Sequence, residues 1–274
     1  MKLVICSRKD PASVNIASHL LTMGSFEKRR LGDYVFHVEN DFAIVEIDER
    51  LIYADKIDER LSKFFDFDEI LFASRHSSKD GRKIFTAHVS GNVAENTYGG
   101  LPKSLAKPSP ITMKNFALAL KKRMSRIPDF EFTLEATHHG PSEISKPSAF
   151  YEIGSSEDEW ENGEAGEIVA EAIFEAIRDT RREWKIAVGV GGTHYVPRQT
   201  EIILETPFTF GHNFAKYTFE NLDVEMLKKA VELSEAEFLI YDDKSTNAKV
   251  KSLFDKLSGI KILKAKEAKK LRLD

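Results

Sequence analysis

What most constrains this chain is an alternation that runs from end to end. Short, almost wholly apolar runs are separated by longer stretches whose apolar residues recur at helical spacing. A run that is apolar at every position leaves no face for water, so it reads as a strand covered on both sides. Strands are expected at 3–6, 34–38, 43–47, 69–73, 84–89, 131–136, 185–190, 201–204, 237–241 and 261–263. Between them, Asp10 followed by Pro11 is an N-cap with proline at the first helical position, and the spacing from Val14 to Leu21 carries that helix on to Gly24. Thr112 opens a second helix with Met113, Phe116, Leu120 and Met124 on one stripe. The stretch 164–180 forms a third, with acids early and arginines late, and 224–233 and 248–257 two more. Such alternation builds a three-layer α/β/α fold around a mixed, largely parallel sheet. The tripeptide "END" after 34–38 predicts a hairpin, hence some antiparallel pairing. No repeat or low-complexity linker divides the 274 residues, which read as one domain.

With 42% hydrophobic residues the chain can bury a core, and no window approaches the roughly 18 uninterrupted apolar residues that cross a bilayer. Met1 leads straight into the strand-like "KLVICS", without a basic start or a cleavage site. A cytoplasmic protein is therefore expected, monomeric and without an obligate protein partner. Cys6 is the only cysteine, which excludes an intrachain disulfide and a thiolate cluster, so any metal site must be made of His, Asp and Glu. The net charge of −4 excludes a general attraction to nucleic acid, and an RNA contact needs a local basic patch. The tail 261–272, "KILKAKEAKKLR", sets six basic residues against Glu267 and reads either as a solvated edge strand and helix or as a phosphate contact.

Open α/β sheets bind ligands beyond the carboxyl ends of their strands. Six of the eight histidines stand at such places: His76 in "SRHSS", His88 in "AHVSGN", His138 and His139 in "THHGPS", His194 in "GGTHYVPR" and His212 in "FGHNF". A histidine ringed by Gly, Ser, Thr and Asn is placed to ligate a metal or move a proton; taken singly it reads more readily as a loop residue capping a turn, and the six together favour function. Neutral imidazoles with one or two carboxylates suit Zn²⁺. There is no HExxH helix, and Glu135, three residues before His138, would not share a face with it on a strand. Adjacent His138 and His139 point to opposite faces if the strand continues through them, and into one crevice if it ends by Ala136 or Thr137. "GVGG" at 189–192 runs into "THYVPR" rather than a helix, so its glycines suit a close backbone approach to substrate better than a dinucleotide site. The Gly-, Pro- and Ser-rich segment 96–110 is long enough to be a flap or binding loop.

Taken together, "SRKDPAS", "SRHSS", "HVSGN", "YGG", "THHGP", "VGGTHY" and "GHNFAKY" resemble the D-aminoacyl-tRNA deacylases of archaea and plants, over essentially the whole chain. The resemblance implies a cytoplasmic hydrolase that cleaves the ester between a D-amino acid, such as D-tyrosine, and the 3′ end of tRNA. It also implies zinc and a fold akin to the phosphorylase/hydrolase group. On that basis His138, His139 and His194 are the expected catalytic residues, and zinc is assigned to His88, His138, His139, His194 and His212. Arg75, His76, Gly91, Asn92, Gly191, Gly192 and Thr193 are the expected substrate-binding set, with the amides of Gly191 and Gly192 facing the ester carbonyl. Lys103, Lys107, Arg75 and Arg198 are expected to take up tRNA phosphates. A zinc peptidase or amidohydrolase on the same architecture, and a non-catalytic RNA-binding protein, are the alternatives.

Overall fold

In the computed structural model, which describes residues 1–40, 42–95 and 98–273, the apolar runs assemble into two main sheets rather than one. The larger has eight strands in the spatial order Glu27–Leu31, Tyr34–Glu39, Phe42–Ile47, Lys2–Ser7, Glu69–Arg75, Ser148–Gly154, Ile84–His88 and Glu131–Leu134. Its centre is parallel, because Lys2–Ser7 pairs in parallel with both Phe42–Ile47 and Glu69–Arg75, and Ser148–Gly154 extends the run. Antiparallel pairing enters where Ser148–Gly154 meets Ile84–His88 and in the meander from Glu27–Leu31 through Tyr34–Glu39 to Phe42–Ile47. The second sheet is parallel throughout, in the order Phe208–Phe214, Lys185–Val190, Phe238–Tyr241 and Lys261–Lys264. The expected mixed, largely parallel sheet is thus present, and the chain after residue 185 builds another beside it.

Side-chain alternation explains the layering. In Lys2–Ser7, Val4 and Cys6 point to one core while Leu3 and Ile5 point to another. The first core holds the buried faces of the helices Pro11–Leu20, Pro110–Lys121 and Gly163–Arg178, and also Ala187, Ile202, Phe208 and Phe210 of the second sheet and its helix. Those helices therefore lie between the two sheets, in one continuous apolar body. Each buried Phe or Ile there contributes about 1.5–3 kcal/mol. Leu227, Ala230, Val250 and Phe254, from Val224–Ser234 and Ala248–Phe254, cover the outer face of the second sheet.

The Asp10 cap forms as expected, its carboxylate accepting from the Ser13 N–H at 3.1 Å with Pro11 at the first helical position. The expected strand at 201–204 is instead part of the helix Pro197–Glu205. Four apolar-rich residues fit either structure, and Pro197 at the helix start, with Gln199, Thr200, Ile202 and Ile203 buried, decides it. Strands not anticipated are Ser148–Gly154 in the heart of the large sheet, Glu27–Leu31 at its edge, Phe208–Phe214 at the edge of the small one, and the short pair Gly91–Asn92 and Ser104–Leu105.

Candidate active site

The strand Glu131–Leu134 ends before the two adjacent histidines, and residues 135–139 cross from the large sheet to the small one. On one side Glu135 N–H donates to Ala87 O at 3.1 Å, and Ser90 bridges His138. On the other, Ala136 N–H donates to His194 O at 2.9 Å and Thr137 N–H to Asn213 O at 2.8 Å. His139 takes a φ of 42°, so the chain turns there, and the His138 and His139 rings come to lie with centroids 4.3 Å apart. The second of the two sequence alternatives holds, and both imidazoles face the seam between the sheets.

Glu135 is the hub of this seam and is wholly buried. Its Oε1 lies 2.7 Å from His194 Nε2 and 3.2 Å from His76 Nδ1. These are ion-pair contacts, and neither Oε1 nor Oε2 has a hydrogen-bond partner among the described residues. A second buried carboxylate, Glu152 on Ser148–Gly154, accepts from Thr86 Oγ1 at 3.0 Å and sits 3.7 Å from His88 Nε2, itself without a hydrogen-bond partner. His88 stacks on Phe150, with ring planes 7° apart, and His76 Nε2 meets the Tyr195 hydroxyl at 2.9 Å.

The protonation pattern follows from these contacts. Burial alone would raise the Glu135 carboxyl, but the close contacts with His194 and His76 outweigh it and hold the group well below its ordinary value. Burial likewise depresses His76, yet the close contact with Glu135 and its charge prevail and lift it to about 8. His88 is raised by Glu152 and Glu135 against its own burial. His138 and His139 go the other way, because burial and the neighbouring His88 push both down, His139 to about 3. These two are neutral imidazoles. Each donates Nδ1–H to a backbone carbonyl, His138 to Ala136 O at 2.8 Å and His139 to Gly140 O at 2.6 Å, which leaves Nε2 as a lone pair. His88, His138 and His139 form one group whose ligating atoms all lie within 4.8 Å of one another; His76, Glu135 and His194 form another, and His88, Glu135 and Glu152 a third.

Not every residue singled out from sequence is here. His212 is buried with both ring nitrogens engaged, Nδ1 with Thr137 Oγ1 at 3.1 Å and Nε2 with Ala106 O at 3.0 Å, so it has no atom free for a metal. The amides of Gly191 and Gly192 are also taken, by Phe214 O and Ser245 Oγ, both at 2.8 Å, and neither can face an ester carbonyl. Thr193 binds back to Tyr195 O through both its N–H and its hydroxyl. These three residues build the turn that presents His194. Gly91 N–H donates to His139 O at 2.8 Å, and the Asn92 amide donates to Gly99 O and Leu101 O, so both brace the seam. Arg75 and His76 line a cleft opening onto it. Lys107 pairs with Glu235 beside a groove elsewhere, Arg198 pairs with Glu201, and Lys103 is exposed on a turn with φ of 50°. Asn96 and Thr97 of the expected flap lie outside the described residues, while Tyr98 O accepts from Gly140 N–H and so packs that segment onto the histidine turn.

The buried state of His212 has a pH consequence. Burial holds it at about 3 in the folded chain, against an ordinary value of 6.5. Between pH 6.5 and 3 the unfolded chain binds a proton that the folded chain refuses. Stability is therefore full above 6.5 and falls on acidification by about 1.4 kcal/mol per pH unit for this group. His138 and His139 act with the same sign. The variant His212→Gln is expected to flatten the dependence of Tm on pH across this window, and an unchanged slope would show that His212 is not held neutral.

Similarity to known proteins agrees with the residue pattern. The family model described as D-aminoacyl-tRNA deacylase matches residues 63–263. A D-aminoacyl-tRNA deacylase of Archaeoglobus fulgidus is 62% identical over 273 residues, 98% of each chain. One of Methanosarcina acetivorans is 39% identical over 278 residues, covering 96% of this chain and 92% of its own. The crystal structure of a conserved protein of unknown function superposes with a TM-score of 0.98 at 62% identity, over 100% of this chain and 99% of that one.

Proposed function

The chain belongs to the D-aminoacyl-tRNA deacylase family, and from that premise we infer that the seam cluster is its esterase centre. The enzyme hydrolyses the ester of D-aminoacyl-tRNA, releasing the D-amino acid and tRNA. The observation that carries the site assignment is the buried Glu135 bound to His194, whose ring is 40% exposed. We take Nε2 of His194 to carry its proton toward Glu135, which leaves Nδ1 with a lone pair. In our reading, Nδ1 takes a proton from water as its oxygen attacks the ester carbonyl, and Glu135 stabilises the resulting imidazolium. The carbon–oxygen bond to the ribose then breaks, and the proton passes from His194 to the departing 3′-oxygen. His76, fixed between Glu135 and the Tyr195 hydroxyl, holds the carboxylate in position.

The residues also fit zinc. His138 and His139 are neutral, their Nδ1–H groups are bound to carbonyls as in ligating histidines, and the orphaned His88 Nε2 lies with them. We propose that these three hold the ion, with Glu135 and Glu152 offsetting its charge. When bound, zinc would polarise the ester carbonyl and lower the pKa of water. Incubating D- and L-tyrosyl-tRNA with the protein before and after chelation, alongside metal analysis, tests this. Ester loss confined to the D-form, abolished with the loss of bound zinc and restored by its return, is expected. Undiminished hydrolysis by metal-free protein would exclude the metal's role.

A further inference from the structure

Two clefts reach the cluster, and they share Tyr98, His138, His139 and His194 as a common wall. One, of about 360 Å³, is lined by the cations Lys9, Arg50 and Arg75 and, deeper, by the buried carboxylates Asp10 and Glu152. The other, of about 340 Å³, is lined by Val93, Tyr98 and Tyr217 with amide and hydroxyl groups, and no Lys or Arg among the described residues lines it. The seam histidines therefore separate a chamber rimmed by three cations from an aromatic one whose charged lining among the described residues is Glu95.

The three cations of the first cleft, like Arg30 and several surface lysines, form no ion pair among the described residues. Most arginines of this chain are tied to carboxylates, among them Arg8 to Asp48, Arg60 to Glu49, Arg82 to Asp80 and Arg123 to Glu171. The basic tail follows the same rule, with Lys264 on Asp243, Lys269 on Glu201 and Arg272 on Glu205. Among the described residues, Lys9, Arg50 and Arg75 make no such pair; Arg50 lies over Tyr53 and Arg75 over Trp160, contacts that fix a guanidinium without neutralising it. Cations oriented but left unpaired beside a hydrolytic centre match a ligand that brings its own negative charge.

We propose that the cleft rimmed by Lys9, Arg50 and Arg75 seats the terminal phosphodiesters of the tRNA, and that the Val93–Tyr98–Tyr217 cleft receives the amino-acid side chain. This rests on the esterase reading above. The ester joining the two halves of the substrate then crosses the shared histidine wall, where the hydrolytic groups are. Tyr98 and Tyr217, 59% and 56% exposed, offer rings to an aromatic side chain.

The test measures kcat/KM on D-tyrosyl-tRNA and D-alanyl-tRNA against salt concentration for wild type, for Lys9→Gln/Arg50→Gln/Arg75→Gln together, for Tyr217→Ala, and for Arg30→Gln as an exposed control on a distant edge strand. Each lost phosphate contact lowers the log–log salt slope by about 1, so the triple variant is expected to lose two to three units of slope, roughly, and Arg30→Gln none. Tyr217→Ala is expected to reduce the preference for D-tyrosyl over D-alanyl ester about five- to tenfold. An unchanged slope in the triple variant, or an equal loss on both esters in Tyr217→Ala, overturns the division of the clefts while wild-type hydrolysis keeps the esterase reading. Absence of wild-type hydrolysis overturns both.

Discussion

Glu135→Gln is expected to lower kcat for D-aminoacyl-tRNA hydrolysis on the order of 10²–10⁴-fold, the range that a positioned acid–base pair supplies. The amide matches the carboxylate in size and its oxygen can face His194 Nε2 as the carboxylate does, so the ring keeps its orientation. It cannot stabilise the imidazolium that forms when His194 takes a proton from water, so the loss falls on kcat more than on KM. A second readout separates this from a merely structural effect. His76 is held at about 8 by its close contact with Glu135 against the opposing pull of burial. In Glu135→Gln that support disappears, and its NMR titration is expected to move down. A variant that keeps both its rate and its His76 titration would remove Glu135 from the mechanism.

His138→Ala and His139→Ala are each expected to cost on the order of 10²-fold or more in activity, with loss of bound zinc measured on the same samples. Both rings are half-buried and neutral, both fix Nδ1–H on a backbone carbonyl, and both lie with His88 in one group of potential ligands. Removing either leaves a donor set with one nitrogen fewer. Full activity with full zinc occupancy in either variant would contradict the assignment. The effect is expected to exceed that of His212→Gln, because both ring nitrogens of His212 are engaged with Thr137 and Ala106 and neither is free for a metal.

Sequence patterns anticipate the mixed sheet, the capped helix after Lys2–Ser7 and the gathering of His76, His88, His138, His139 and His194 at strand ends, because each depends on local periodicity and chain direction. What they miss depends on contacts between distant segments. Glu135 is set aside by a rule of strand alternation that no longer applies once the strand has ended at Leu134. Glu152 lies in a strand not anticipated at all, although a single carboxylate within the otherwise apolar "AFYEI" is the signal that could have found it. Gly191 and Gly192 have the conformational freedom their type implies, with φ of 109° and 90°, but residue type cannot show that Phe214 and Ser245 already hold their amides. Charge is legible along the chain, whereas its neutralisation is not. Lys107 and Arg198 find carboxylates, and Lys9 and Arg50, inconspicuous in sequence, do not.

The central claim is that Glu135 and His194 act as one proton-transfer unit on the ester. The single-turnover rate of D-tyrosyl-tRNA hydrolysis in a cycle of wild type, Glu135→Gln, His194→Gln and the double variant tests it most directly. Partners in one step are strongly non-additive, so the double variant is expected to be scarcely slower than the slower single variant. Losses that multiply in the double variant, or a wild-type rate retained by either single one, would contradict it.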